Sequence, residues 1–283
     1  MDYDPSMRAL FFPGRDAPVA DFSAGWARDQ ICAELSRLAY LRFEKDEAEK
    51  DRLKDILARA GFGEPACFHN PRTGAQGFGT VADGIAYVAL RGTQITSVLD
   101  LIADALAIPV RWKAGVGRVD WGFWNACRSL RAPIETWLGG TPHSRLVITG
   151  HSLGAAMATL LAALHEQAEL VTFGSPRVGN RAFVGQFGEA RIVRRYVDCI
   201  DSVPGLPPPW GYTHLREMIY IDGKGALHEP PPDADALKAD RRAAKRAFRR
   251  AYGFKFRNVL LRSGADHAPI NYVSALLGRR NEP

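Results

Sequence analysis

One stretch limits the fold of this chain more than any other: Leu146-Val147-Ile148-Thr149-Gly150-His151-Ser152-Leu153-Gly154-Ala155. A short apolar run rich in β-branched residues reads as a buried strand. It passes directly into Gly150-x-Ser152-x-Gly154 and then into strongly helix-forming sequence up to Glu166. The chain must therefore turn sharply from strand to helix with a serine at the apex. A serine hydroxyl is a poor nucleophile at neutral pH, so Ser152 requires a histidine to take its proton and an acid to orient that histidine. Glycines two residues before and after it suit a turn whose backbone approaches neighbouring elements closely.

The flanking sequence predicts the sheet that such a turn needs. Phe78 to Val81 and Ile85 to Leu90 read as a hairpin across Asp83-Gly84, and Glu169 to Phe173 and Arg191 to Val197 read as later strands. Between them Asn125 to Leu138 reads as a helix broken at Pro133, and Leu153 to Glu166 as one apolar nearly all round, hence buried between layers. Alternating strands and helices imply an α/β fold, a mostly parallel central sheet flanked by helices, with chemistry at the carboxyl ends of the strands. Before the hairpin, Trp26 to Lys54 reads as helical, so residues 1–75 form a helical lead packing on a catalytic domain of residues 76–283. Ile95 to Ile108, with Leu99, Ile102 and Leu106 on one face and Pro109 as its stop, reads as a packed helix or as a mobile lid over the serine. Trp112, Trp121 and Trp124 read as core first and lipid contacts second.

In this order of elements the acid follows the serine on a loop after a later strand, and the base comes last. Asp198 and Asp201 both qualify. Asp201 is favoured because it lies deeper in the loop and Val203-Pro204 would stiffen its turn. Among the later histidines, His228 sits in an irregular Pro-rich segment and His214 reads as structural. His267 follows a Gly-containing loop, Ser263-Gly264-Ala265, and opens a final helix, Pro269 to Leu277. His151 and His165 read as packed side chains. Thr93, after the strand ending in Arg91-Gly92, is placed to donate to an oxyanion.

With these residues in view, the chain resembles the class 3, fungal-type lipases of the α/β-hydrolase fold. The matching runs, in the family's order, are Val88 to Thr93 (V-A-L-R-G-T), Val147 to Gly154 (V-I-T-G-H-S-L-G), Val171 to Asn180 (V-T-F-G-S-P-R-V-G-N), Asp201-x-Val203-Pro204 with Leu206-Pro207-Pro208, Gly211 to His214 (G-Y-T-H), and Asp266-His267. The resemblance implies Ser152 as nucleophile, Asp201 as acid, His267 as base, and the N–H groups of Leu153 and Thr93 as the oxyanion hole. It implies a lid at Ile95 to Ile108, a structural His214, and hydrolysis of acyl esters of lipids. The alternatives are a phospholipase A-type or small-ester esterase on the same fold, or a catalytically idle protein that contacts membranes. Where the family often has Val-His-x-Gly-Phe, this chain reads Val119-Asp120-Trp121-Gly122-Phe123.

Composition bears on the setting. No apolar run approaches the ~18 residues of a membrane span, and Met1-Asp2-Tyr3-Asp4-Pro5 is acidic where a secretion signal would be basic, so a cytoplasmic protein is expected, with signal-less export as the alternative. Cys32, Cys67, Cys127 and Cys199 lie far apart without metal-type spacing, which predicts reduced thiols and neither metal nor cofactor. The net charge of +6 is concentrated: residues 238–257 hold nine Lys or Arg against Asp240 alone. At helical spacing Ala243, Ala244, Ala247, Phe248, Ala251 and Tyr252 form one face, and Arg242, Lys245, Arg246, Arg249 and Arg250 the other. This basic helical insertion, at about 235–257, reads equally as a solvated helix packed on the domain or as a contact for anionic membrane. No nucleic-acid recognition fold accompanies the charge, so nucleic acid is not expected as a partner.

Overall fold

The computed structural model describes residues 2–15, 25–92 and 108–280. Its centre is an eight-stranded sheet of β1 (Ala66–His69), β2 (Gln76–Ala82), β3 (Ile85–Leu90), β6 (Arg145–His151), β7 (Glu169–Phe173), β8 (Val193–Asp198), β9 (Ile219–Ile221) and β10 (Leu227–His228), hydrogen-bonded in that order. The run from β3 through β6, β7 and β8 to β9 is parallel, and the outer strands pair antiparallel. A separate ribbon joins β4 (Pro109–Arg111) to β5 (Arg118–Asp120). The β2–β3 turn holds Asp83 and Gly84 at φ 50° and 72°, the paired positive values a tight two-residue hairpin requires.

Two cores lie on opposite faces of this sheet, and the period-2 rule assigns its residues to them. Tyr87 and Ala89 join Val147, Val171 and Phe173 beneath α2 (Arg28–Leu38) and α9 (Pro269–Leu276). Ala86, Val88 and Leu90 join Ile148 and Leu170 beneath α4 (Trp121–Gly140) and α5 (Leu153–Leu164). The other α-helices among the described residues are α1 (Met7–Phe11), α3 (Glu47–Arg59), α6 (Arg181–Gly185), α7 (Ala234–Ala251) and α8 (Arg262–Asp266).

Several elements differ from the sequence reading. The single helix expected from Trp26 to Lys54 is two, α2 and α3. The chain turns after Leu38 to bury Tyr40, Leu41 and Phe43, then restarts at Asp46, whose carboxylate caps Ala48 N at 3.0 Å. Residues 66–69 lie in the stretch read as a helical lead but pair with β2, so the sheet begins before residue 76. Pro133 does not break α4. The Ser129 carbonyl, which loses its usual donor to the proline, accepts from Asn70 Nδ2 at 3.4 Å. Ser263-Gly264-Ala265, read as a loop, belongs to α8, and His267 is its C-cap. The basic segment is helical as α7 only up to Ala251, with Ala244 and Phe248 buried and the cationic face turned outward; Tyr252 is its C-cap, and the expected helix over residues 253–257 is instead a turn. Trp112 is buried against Trp124 and Phe183, whereas Trp121 is exposed. Among the described residues no helix is long and apolar enough to cross a membrane.

Candidate active site

The turn between β6 and α5 holds Ser152 at φ 58° and ψ −126°, a backbone conformation costly for any residue with a side chain. Its neighbours hold it there: Ser152 N donates to Phe173 O at 3.0 Å, tying the turn to the end of β7. The flanking glycines are required by close approach. A Cβ on Gly150 would stand 2.4 Å from the Gly154 carbonyl, and one on Gly154 would stand 2.0 Å from the Leu90 carbonyl. Strand, turn and helix are thereby pressed together with the hydroxyl at the tip.

Two later loops bring their side chains to that tip. His267 Nε2 lies 3.0 Å from Ser152 Oγ, and Nδ1 lies 2.8 Å from Asp201 Oδ2. Asp201 is held in turn by Tyr272 OH on its Oδ2 at 2.6 Å and by Val203 N on its Oδ1 at 2.9 Å. Burial, then the charge on Asp201, holds the Tyr272 phenol well above its ordinary pKa, so it keeps its proton and donates. With both donors on the carboxylate, Asp201 can hold the histidine proton at Nδ1 and leave Nε2 as the base facing the serine.

Asp198, the other acid in this loop, faces away. Both its oxygens accept from Arg280 Nη1 at 2.8 Å, and Arg280 Nη2 also reaches Asp266 Oδ1 at 3.2 Å. Asp266 Oδ2 accepts from Ile200 N at 3.0 Å. The acid loop is thus clamped from β8 to α8 immediately before the residue that meets the histidine. His214 Nε2 donates to Pro204 O at 2.8 Å on the other side of Asp201, and burial, followed by the charges of Arg195 and Arg177, lowers its pKa to about 3. It is a neutral strut.

His151, adjacent to the serine, takes part in a chain that sequence reasoning did not find. Its Nε2 lies 2.8 Å from the His267 carbonyl, which can only accept, so Nδ1 is the acceptor for Tyr40 OH at 2.8 Å. Burial, then the neighbouring His267, pushes the His151 pKa well down. With ring centroids 4.5 Å apart, a neutral His151 spares the site a second positive charge when His267 is protonated. The only trace of this in the sequence was the histidine inside the elbow motif. Tyr40 and Tyr272 had no local signature at all.

Leu153 opens α5, and the first N–H groups of a helix have no partner within it, so its amide is available to an oxyanion next to Ser152. Thr93 lies outside the described residues, as does the expected lid except for Ile108, which is exposed. Leu90, three residues before Thr93, pairs with Gly150. Asp120, in the Val119 to Phe123 run, caps α4 by accepting from Phe123 N at 3.1 Å and also accepts from Tyr212 OH at 3.3 Å. It therefore links the α4 start to the Gly-Tyr-Thr-His run.

The model of the family described as Lipase (class 3) matches residues 87–210. The chain is 30% identical over 181 residues to secreted mono- and diacylglycerol lipase A of Penicillium camembertii, covering 57% of this chain and 59% of that protein. It is 34% identical over 151 residues to the lipase of Rhizomucor miehei, covering 48% of this chain and 41% of that one. To phospholipase A1-Igamma2, chloroplastic, of Arabidopsis thaliana it is 30% identical over 166 residues, covering 47% of this chain and 31% of that protein. The chain thus spans between 31% and 59% of the length of these curated relatives. Among solved structures, a triacylglycerol lipase whose catalytic centre is formed by a serine protease triad superposes with a TM-score of 0.57 at 26% identity, covering 68% of this chain and 78% of that one. The Rhizomucor miehei lipase propeptide complex gives 0.56 at 25% identity, covering 68% and 66%.

Proposed function

We propose that the chain is a member of the class 3 lipase family with the α/β-hydrolase fold, and that it is a serine ester hydrolase acting on acyl esters of lipids. One observation carries the reading: Ser152, His267 and Asp201 stand in a hydrogen-bonded line of 3.0 and 2.8 Å at the carboxyl end of the sheet. Ser152 Oγ attacks the ester carbonyl while His267 Nε2 takes its proton. The carbonyl oxygen, now negative, is held by the N–H of Leu153 and a donor at Thr93. The tetrahedral species collapses as His267 returns the proton to the departing alcohol, leaving Ser152 acylated. A water then gives its proton to His267 and attacks the acyl carbon, and collapse frees the acid and restores Ser152. Asp201 keeps His267 oriented throughout, with Tyr272 donating to it.

Ser152→Ala is expected to remove at least about 10⁴-fold of the turnover of a p-nitrophenyl ester, and labelling by a fluorophosphonate probe with it. Appreciable residual turnover would refute the assignment. The similarity to a phospholipase A1 favours a second substrate reading, the acyl ester of a phospholipid; assay on a panel of glycerides and phospholipids separates the two. We treat the lead and the lipase core as one catalytic unit, because α2 shares a core with β6 and β7. The four free cysteines support action in the cytoplasm, which cell fractionation tests.

A further inference from the structure

The turn after α7 carries apolar side chains that the fold leaves in water. Phe254, Phe256, Leu260 and Leu261 are 95%, 88%, 81% and 67% exposed. Single exposed apolar residues are ordinary; four within eight positions are not. Phe254 and Leu260 open onto an apolar groove of about 660 Å³ whose floor includes Phe248 and Ile200. The same surface is strongly cationic. Arg242, Lys245, Arg246, Arg249, Arg250, Lys255 and Arg257 are exposed, and among the described residues none of the five on α7 makes an ion pair. Asp240, the one acid of the segment, points inward to Tyr220 OH and Gly223 N.

The turn is held in this shape. Phe254 and Arg257 have φ of 61° and 73°, left-handed values that cost about 1 kcal/mol each. Its far end is tied to the N-terminal segment by Met7 N to Arg257 O at 2.8 Å and Val259 N to Pro5 O at 2.9 Å. Two strained residues flank Lys255-Phe256 and keep both phenylalanines out of the core. Charge decides what covers them. A second copy of this face would meet it cation to cation, whereas an anionic bilayer offers phosphate to the arginines and hydrocarbon to the phenylalanines.

We propose that the α7 cationic face and the Phe254 to Leu261 turn form one docking surface for an anionic lipid bilayer, built around Phe254 and Phe256 as inserting side chains. This deepens the lipase reading and rests on it for its purpose. The groove reaches Ile200 and Ser202 on either side of Asp201, and α8 runs from the turn to His267, so docking here sets the triad loops at the lipid surface.

The test uses full-length protein carrying Ser152→Ala, so that vesicles survive, sedimented with phosphatidylcholine vesicles with or without phosphatidylglycerol. Binding is expected only with phosphatidylglycerol and should fall with added salt. Glutamine at Arg242, Lys245, Arg246, Arg249 and Arg250 together should weaken it at least about a hundredfold, and Phe254→Ser with Phe256→Ser at least about tenfold. The same substitutions in the Ser152 protein should leave hydrolysis of soluble p-nitrophenyl butyrate within about twofold, which also shows that the variants fold. Equal binding to both vesicle types, no binding, retention on heparin without vesicle binding, or indifference to either set of substitutions overturns the proposal. Vesicle binding by a protein that never hydrolyses an ester would leave the docking surface standing and sink the lipase reading instead.

Discussion

Ser152, His267 and Asp201 are 2%, 3% and 8% exposed, and each is joined to the next by a hydrogen bond; along the groove that reaches Ile200 and Ser202, Phe254 and the nearby Phe256 stand almost fully in water beside seven exposed cations. The first region is a buried network in which each polar group has a defined partner, so loss of one member leaves another unsatisfied. In the second, each side chain acts nearly alone on a solvated surface, and contributions add. The buried region therefore should respond to one substitution with a large effect, and the surface only to several together.

The sharpest way to break this contrast is within the acid loop. Asp201→Asn should lower kcat for a soluble ester by about 10⁴-fold, because the amide cannot hold His267 in the required tautomer. Asp198→Asn, three residues away, should leave kcat within about tenfold but destabilise the fold by about 3 kcal/mol, since it takes one of two carboxylate charges from the buried Arg280. Urea unfolding and steady-state kinetics on the two proteins check both; a large kcat loss in Asp198→Asn would show that the clamp and the chemistry are one unit.

Tyr272→Phe is expected to be milder, about tenfold in kcat with little change in KM, as it removes one of the three donors to Asp201 and leaves Val203 N and His267 Nδ1 in place. An unchanged kcat would relegate the tyrosine to packing.

The smallest effect is on stability against pH. His151 and His214 both have folded pKa values below the unfolded value of about 6.5, the latter at about 3. Above pH ~6.5 both are neutral in either state and add no slope. Below it the unfolded chain binds protons that the folded chain refuses. Stability then falls on acidification, by up to about 1.4 kcal/mol per pH unit for each fully buried histidine and less for the partly exposed His214. Unfolding free energies at pH 7 and pH 5 for the parent and for His214→Gln measure it: the variant should lose part of the slope, and an identical slope would contradict the assignment of His214 as a neutral strut.

Much of this arrangement was legible in the chain itself, where the signal is local. The elbow, the Asp83-Gly84 hairpin and the α7 cation stripe each lie within a few consecutive residues, so spacing and side-chain type were enough to read them. Ser152, Asp201 and His267 could be named one at a time, because each sits at a recognisable strand end or loop. What the tertiary structure alone decided is which groups meet. Sequence favoured Asp201 over Asp198 only by its place in the loop; what each carboxylate meets, Arg280 for Asp198 and Tyr272 with His267 for Asp201, is set by long-range pairing. Tyr40 finds His151 across 111 positions, Asn70 relieves the carbonyl orphaned by Pro133, and the strand at residues 66–69 exists because β2 is beside it. Such contacts leave no periodicity in the chain, since the partners are brought together by burial of the two cores and by the need to satisfy polar groups inside them.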